Sequence, residues 1–194
     1  QDQGPACWNV PQEVFAVIDL YGQCAQVSIV HKPLQAVGIS PRRHSDAATP
    51  LESAASELVS STHSSQPAPA HLEHRLLPLC GQSITLSDGG RSAVRDDKDF
   101  ENGLVFSARP LLPDETFEIC IESVSSRWSG SLAIGVTTFH PREDTVAPSS
   151  IEQLENVWYL SQSDVVLPGG MRWGSCSPLE QLAVSDVISV QRTA

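Results

Sequence analysis

The chain has 194 residues, enough for one sandwich-sized domain with a sizeable core and additional linker. Its 12 Lys and Arg stand against 23 Asp and Glu, a formal net charge of -11 with no basic stripe, which excludes nucleic-acid backbones and anionic membrane surfaces as partners. No apolar run approaches the roughly 18 residues needed to cross a bilayer, and although the chain opens with Gln1 rather than Met, residues 1–9 show neither the basic nor the apolar region of a secretion signal, so a soluble protein is expected.

Residues 14–20 and 24–30 read as two strands joined at Tyr21-Gly22-Gln23, a hairpin in which Ala25, Val27 and Ile29 alternate with Cys24, Gln26 and Ser28. A two-stranded hairpin is marginal alone in water. Val14, Ala16 and Ile18, or the alternate set Phe15 and Val17, are therefore expected to bury with Val27 and Ile29 against the rest of the chain. Residues 31–75 are rich in Ser, Ala and Pro and poor in aromatic and β-branched residues, the composition of a disordered linker. Within it, Thr49-Pro50-Leu51-Glu52 has the N-cap chemistry for one or two helical turns, and Arg42-Arg43-His44 is too short for a nucleic-acid patch.

Residues 83–86 and 91–94 read as strands around the turn Ser87-Asp88-Gly89-Gly90, followed by a solvated charged loop, Arg95-Asp96-Asp97-Lys98-Asp99. Residues 103–138 hold three strands, predicted as a meander. Leu104 and Phe106 begin the first; in the second, Phe117, Ile119 and Ile121 alternate with Thr116, Glu118, Cys120 and Glu122. In the third, Leu132, Ile134 and Val136 oppose Ser131, Ala133, Gly135 and Thr137, a face small enough for another layer to approach closely. The turn between the last two carries Arg127 and Trp128, and such a tryptophan either closes a core or anchors a partner. Beyond residue 138 come a single helical turn at 150–154 and short strands at 156–160, 165–167, 171–173 and 187–190. Many short strands with frequent turns and no long amphipathic helix indicate an all-β sandwich.

Five cysteines, scattered and without a CxxC pair, argue against a zinc site and for reduced thiols in a cytoplasmic protein. No nucleophile elbow, Walker loop or HExxH occurs, and no cofactor or metal is expected. The nearest catalytic candidate is Gly174-Ser175-Cys176 with His140 as base, but nothing in the pattern brings the base to the nucleophile. Glu118 and Glu122 share a strand face as ordinary exposed charges do. Enzyme activity is not expected.

The segments GQSITLSDGGRSAVR, FENGLVFSARPLLPDETFEICIESVSSRWSGSLAIGVTT, NVWYL and VFAVIDLYGQCAQVSIV closely resemble the neuralized homology repeat family. The resemblance implies a β-sandwich related to SPRY domains. It further implies a protein-binding module that recognises ubiquitin-ligase substrates or centriolar proteins, in a cytoplasmic, centriole-associated setting; the family's RING pattern is not in this chain. Compared with the family, the matches come in a changed order: residues 1–30 look like the C-terminal strands of one repeat, 31–75 like a linker, and 76–194 like the body of the next repeat without its last strands. Ser185 and Ser189 stand where the family more often has glycine. Recognition residues concentrate on loops positioned by a rigid sandwich, so Arg95, Asp96, Asp97, Asn102, Arg127 and Trp128 are the candidate partner-binding residues. The alternative is a glycan-binding or adhesive sandwich in which Trp128, Trp158 and Tyr159 stack on sugar faces.

Overall fold

The structure, a computed structural model, describes residues 13–30, 73–142, 146–175 and 179–193. The helical motif at Thr49, the basic cluster at Arg42 and nearly all of the expected linker lie outside the described residues. Among the described residues, eleven strands form two antiparallel sheets: β1 (Phe15–Leu20), β2 (Cys24–Ile29), β3 (Ile84–Ser87), β4 (Ser92–Arg95), β5 (Leu104–Phe106), β6 (Thr116–Val124), β7 (Leu132–Thr137), β8 (Val157–Ser161), β9 (Asp164–Leu167), β10 (Met171–Ser175) and β11 (Val187–Gln191). One sheet has the order β10-β9-β8-β7-β1-β5 and the other β11-β6-β2-β4-β3. The molecule is a β-sandwich.

Two local expectations are corrected. β1 and β2 do not pair with each other: β1 lies between β5 and β7 in one sheet, and β2 between β4 and β6 in the other. Tyr21-Gly22-Gln23 is an arch that carries the chain across the sandwich rather than a hairpin turn. Gly22 allows it, with φ of 57°, and a Cβ at this position would fall 2.5 Å from the Gly130 carbonyl carbon. Likewise β5, β6 and β7 are no meander, because β6 belongs to the second sheet while β5 and β7 both flank β1 in the first. Period-two alternation reports which face of a strand is buried; it does not report in which sheet the next strand lies. The β3–β4 hairpin and the 3-10 turn at Ile151–Gln153 form as expected.

The main core lies between the sheets, with Ala16, Ile18, Leu20, Leu132 and Ile134 facing Val27, Phe117, Ile119 and Ile121. A second cluster lies on the outer side of the first sheet, where Val17, Phe106, Ala133 and Tyr159 are covered by Ile151 and Leu154. β1 is consequently buried on both faces. Both apolar sets expected for it are inside, and each fully buried aliphatic side chain contributes about 1.5–3 kcal/mol. On the small face of β7, Ala133 joins this second cluster, while a Cβ on Gly135 would lie 2.0 Å from the Trp158 carbonyl oxygen of the paired strand β8.

Order begins ahead of the expected boundary at Leu76. His74 is buried with its ring edge-on to Phe117, and its Nε2 lies 2.9 Å from Glu115 Oε1. Arg75 Nη1 donates to the Gly89 carbonyl at 2.6 Å. The two chain segments meet nearby, as Ile29 N–H donates to Arg91 O and Leu76 N–H to Gly90 O, at 2.8 and 2.6 Å.

Candidate functional site

The arch at residues 21–23, the β4–β5 loop and the β6–β7 turn come together at one end of the sandwich, and this end holds all six sequence-predicted residues. The charged loop leaves β4 at Arg95, which is 2% exposed and so is no surface residue. Its Nη2 donates to the Gly22 carbonyl at 2.5 Å and to that of Cys24 at 3.5 Å, while Nη1 donates to the Asp99 carbonyl. Burial draws its pKa down, with Cys24 and Asp99 opposing. The expectation that Arg95 contacts a partner is corrected: its guanidinium fastens the arch to the loop, using the fork of donors that suits an arginine to several carbonyls at once.

Asn102 is also a loop fastener. It sits at φ of 63°, its N–H donates to Ser149 O at 2.9 Å, its carbonyl accepts from Ser83 N–H, and its Nδ2 donates to Asp99 Oδ2 at 3.3 Å. Asp99 is held below the usual carboxylate range by hydrogen bonds, first that of Ser83 and then those of Glu101 N–H and Asn102. Asp96 is exposed and accepts from Lys98 N–H at 3.0 Å.

Asp97, Arg127 and Trp128 form a single group. Arg127 Nη1 lies 3.3 Å from Asp97 Oδ2, with the side chains 60% and 48% exposed, and Trp128 Nε1–H donates to the Asp97 carbonyl at 2.9 Å. The indole meets the ring of Phe100 edge-on at 5.5 Å, and Phe100 meets Tyr21 at 6.0 Å. Tyr21 is tied at its hydroxyl to Ser161 Oγ at 3.0 Å. Trp128 is thus half-buried, and it neither closes the core nor stands free: it is a wall against which Phe100, 41% exposed, is displayed. Phe100 and Tyr21 were not among the expected site residues. The available signal was an aromatic between Asp99 and Glu101, a position that solvation alone would not give to a phenylalanine.

The geometry suits binding. An exposed aromatic on a rigid backing, beside an ion pair open to exchange partners, is the composition of an interface anchor. Among the described residues no group of three or more His, Cys, Asp or Glu is placed to hold a metal ion. Cys24, Cys80 and Cys120 are free thiols, and burial pushes Cys24 up to about 12; Cys7 and Cys176 lie outside the described residues. Cys176 takes the catalytic candidate with it, and His140 is engaged elsewhere, 3.4 Å from Glu13 Oε1 and edge-on to Phe15. The aromatics required for a sugar platform are dispersed: adjacent on β8, Trp158 and Tyr159 project to opposite faces, and Trp128 sits in the β6–β7 turn.

The family model described as Neuralized matches residues 1–31 and 76–194. The chain belongs to the Neuralized family. Both matched segments contribute to the sandwich, and the Neuralized domain is a protein-interaction module of the ubiquitin-ligase context, a typically non-catalytic one. No solved structure matches the chain. In the Neuralized sandwich described here no helix is long and apolar enough to cross a membrane, among the described residues.

Proposed function

We propose that this chain is a non-catalytic recognition module that captures a protein partner on the arch-and-loop end, with Phe100 and Trp128 as apolar anchors and Asp96, Asp97 and Arg127 setting polarity around them. The observation that carries this reading is the exposed Phe100 ring held between Tyr21 and Trp128, next to an ion pair that is itself solvent-facing. Family membership favours a role in substrate or scaffold recognition within an assembly linked to a ubiquitin ligase. The segment matches further favour a multi-repeat protein of the neuralized-like protein 4 type, with residues 1–30 ending one repeat, 31–75 joining, and 76–194 forming the body of the next. That reading carries a cytoplasmic, centriole-associated setting and centriolar partners with it.

The test is quantitative capture from cell lysate by the intact chain, the double variant Asp97→Ala and Arg127→Ala, and Phe100→Ala. Each variant is expected to lose about tenfold or more of a captured protein, while thermal midpoints stay close to that of the intact chain because the side chains are exposed. Capture that survives all three changes would place the surface elsewhere.

A further inference from the structure

The two sheets are unequal in width, and the difference leaves a notch. β7 lies opposite β11, the last strand of the second sheet, while the first sheet continues past it through β8, β9 and β10. Three strands at the usual spacing make an overhang roughly 14 Å wide. Its inner face is apolar: Leu160, Val165 and Trp173 continue the row that Ile134 begins on β7, and a parallel row through Leu167 ends at Met171. Exposure climbs outward along these rows. Ile134 is 1% exposed, Leu160 and Val165 are half-buried, and Trp173 and Met171 reach 47% and 62%.

A second, independent observation is the backbone beneath this face. Asp186 O accepts from Ile121 N–H at 2.9 Å and Arg192 N–H donates to Glu115 O at 3.0 Å. Residues 186, 188, 190 and 192 therefore face β6, and Val187, Ser189 and Gln191 turn their N–H and C=O groups the other way. Among the described residues no strand pairs with that edge. Nor is the edge blunted, since Val187–Gln191 holds no charge and no proline, and Val187 is exposed. A row of backbone groups at strand spacing, roofed by an apolar face, fits one kind of occupant: an extended chain with apolar residues at every second position. The other positions of that chain are set by the outer face of the second sheet, where Glu118 and Glu122 stand on either side of Cys120, the residue paired with Val187. Desolvation, then Glu122 and Asp186, push the Cys120 thiol up, so the border of the edge is negative.

We infer that the notch takes up an extended segment of a partner protein as a further strand of the second sheet, antiparallel to β11, with apolar side chains inward and basic ones outward. The inward residues stand beside Ile188 and Val190 and cover Leu160, Val165 and Leu167. The outward ones meet the acidic border, and the backbone bonds to Val187, Ser189 and Gln191 fix the register. A second copy of this chain does not fit. Joining two β11 edges antiparallel would put both first sheets on the same side of the joined sheet, and the two overhangs would collide. The notch shares no side chain with the proposed Phe100 and Arg127 surface, and either can fail without the other.

The test uses the full chain and three end-blocked heptapeptides titrated by calorimetry: one alternating lysine and valine, one with the same residues in two blocks, and the alternating one N-methylated at its lysines. The N–H groups of those lysines face β11 in antiparallel pairing, so the alternating peptide is expected to bind about tenfold or more tightly than either of the others. It should also slow hydrogen exchange at the amides of Val187, Ser189 and Gln191, which exchange freely in the chain alone. Ser189→Pro removes an outward N–H without touching a bond to β6 and should weaken binding about tenfold. Val165→Thr, which keeps the shape of the overhang but adds a hydroxyl, should weaken it about threefold and reads the site even if the proline variant fails to fold. Phe100→Ala should leave the affinity unchanged. Equal binding of the block or the methylated peptide, or no binding at all, would overturn the site. So would protection of the three amides in the chain alone, which would show the edge already covered, or self-association abolished by Ser189→Pro, which would give it to a second copy.

Discussion

The two ends of β1 use the same kinds of residue to opposite effect. At its beginning, Val14 O accepts from Leu111 N–H at 2.8 Å, and the adjoining residues Arg109, Glu115 and His74 converge in a largely buried charge cluster. Glu115 accepts two bonds from the Arg109 guanidinium at 2.6 and 2.8 Å and a third from Leu112 N–H, with His74 Nε2 at 2.9 Å. Partial burial pushes its pKa up, but Arg109, Leu112 N–H and His74 outweigh that and hold it down at about 2. At the other end, Arg127 and Asp97 make one long, exposed contact, and an aromatic is left in solvent beside them. The difference teaches that charge content does not identify a recognition surface; what does is the share of charged and apolar side chain that the fold leaves exposed.

The sharpest break in that comparison comes from the two arginines of the loop end. Arg95→Ala would strand the Gly22, Cys24 and Asp99 carbonyls and remove the clamp between arch and loop, so it is expected to cost about 3–5 kcal/mol in urea unfolding. Arg127→Ala, at an exposed pair, should cost under about 0.5 kcal/mol. If the two variants unfold at the same urea concentration, Arg95 is not the fastening that its contacts indicate.

A smaller effect separates the carboxylates. Asp19, near the end of β1, is pushed up to about 6 chiefly by burial, with Glu152 and Glu101 adding and with Ile151 N–H and Arg95 opposing. Its Oδ2 accepts from Ile151 N–H at 2.8 Å and so holds the 3-10 turn against the outer cluster. Because the folded pKa is raised above the unfolded one, its contribution to stability is fully present below about pH 4 and is lost as pH rises through about 6. Asp19→Asn keeps an acceptor for Ile151 without the buried charge. It should therefore stabilise the chain by roughly 2 kcal/mol at pH 7.5 and by almost nothing at pH 4, read as the difference between unfolding midpoints at the two pH values. A gain that is the same at both would deny that ionisation of Asp19 is the cause.

How far the sequence reveals this molecule follows from which quantities are local. The faces of β6 and β7 were legible because each strand carries its own alternation, and Phe117, Ile119, Ile121, Leu132 and Ile134 are all inside. Sheet membership was not, because it depends on the three residues of the arch and on what Gly130 leaves room for, more than a hundred positions away. The loop end was legible as a place, since turn chemistry and family resemblance both mark it. The division of labour within it was not. Arg95 and Arg127 look alike in charged, polar surroundings, and only the approach of Gly22, 73 positions from Arg95, buries one of them. Phe100 was missed because the charges around it read as solvation.

The smallest expected effect asks whether strain follows function in this molecule. Ser185 adopts φ of 77°, a conformation that a side chain disfavours, at a position where the resemblance places glycine. Its N–H donates to the Ile121 carbonyl at 2.8 Å, and this bond leads the chain into β11 alongside β6. The residue is exposed, and among the described residues its side chain makes no hydrogen bond. Relief of the left-handed strain is worth about 1 kcal/mol, of which the greater unfolded-state freedom of glycine returns part. Ser185→Gly is therefore expected to stabilise the chain by about 0.5 kcal/mol, whereas Ser185→Ala, which keeps the Cβ, should be nearly neutral. Urea midpoints of the two variants check this, and partner capture should be the same for both. A gain shared by alanine would assign the effect to the hydroxyl instead, and a loss of capture with glycine would bring the strained turn into the recognition surface after all.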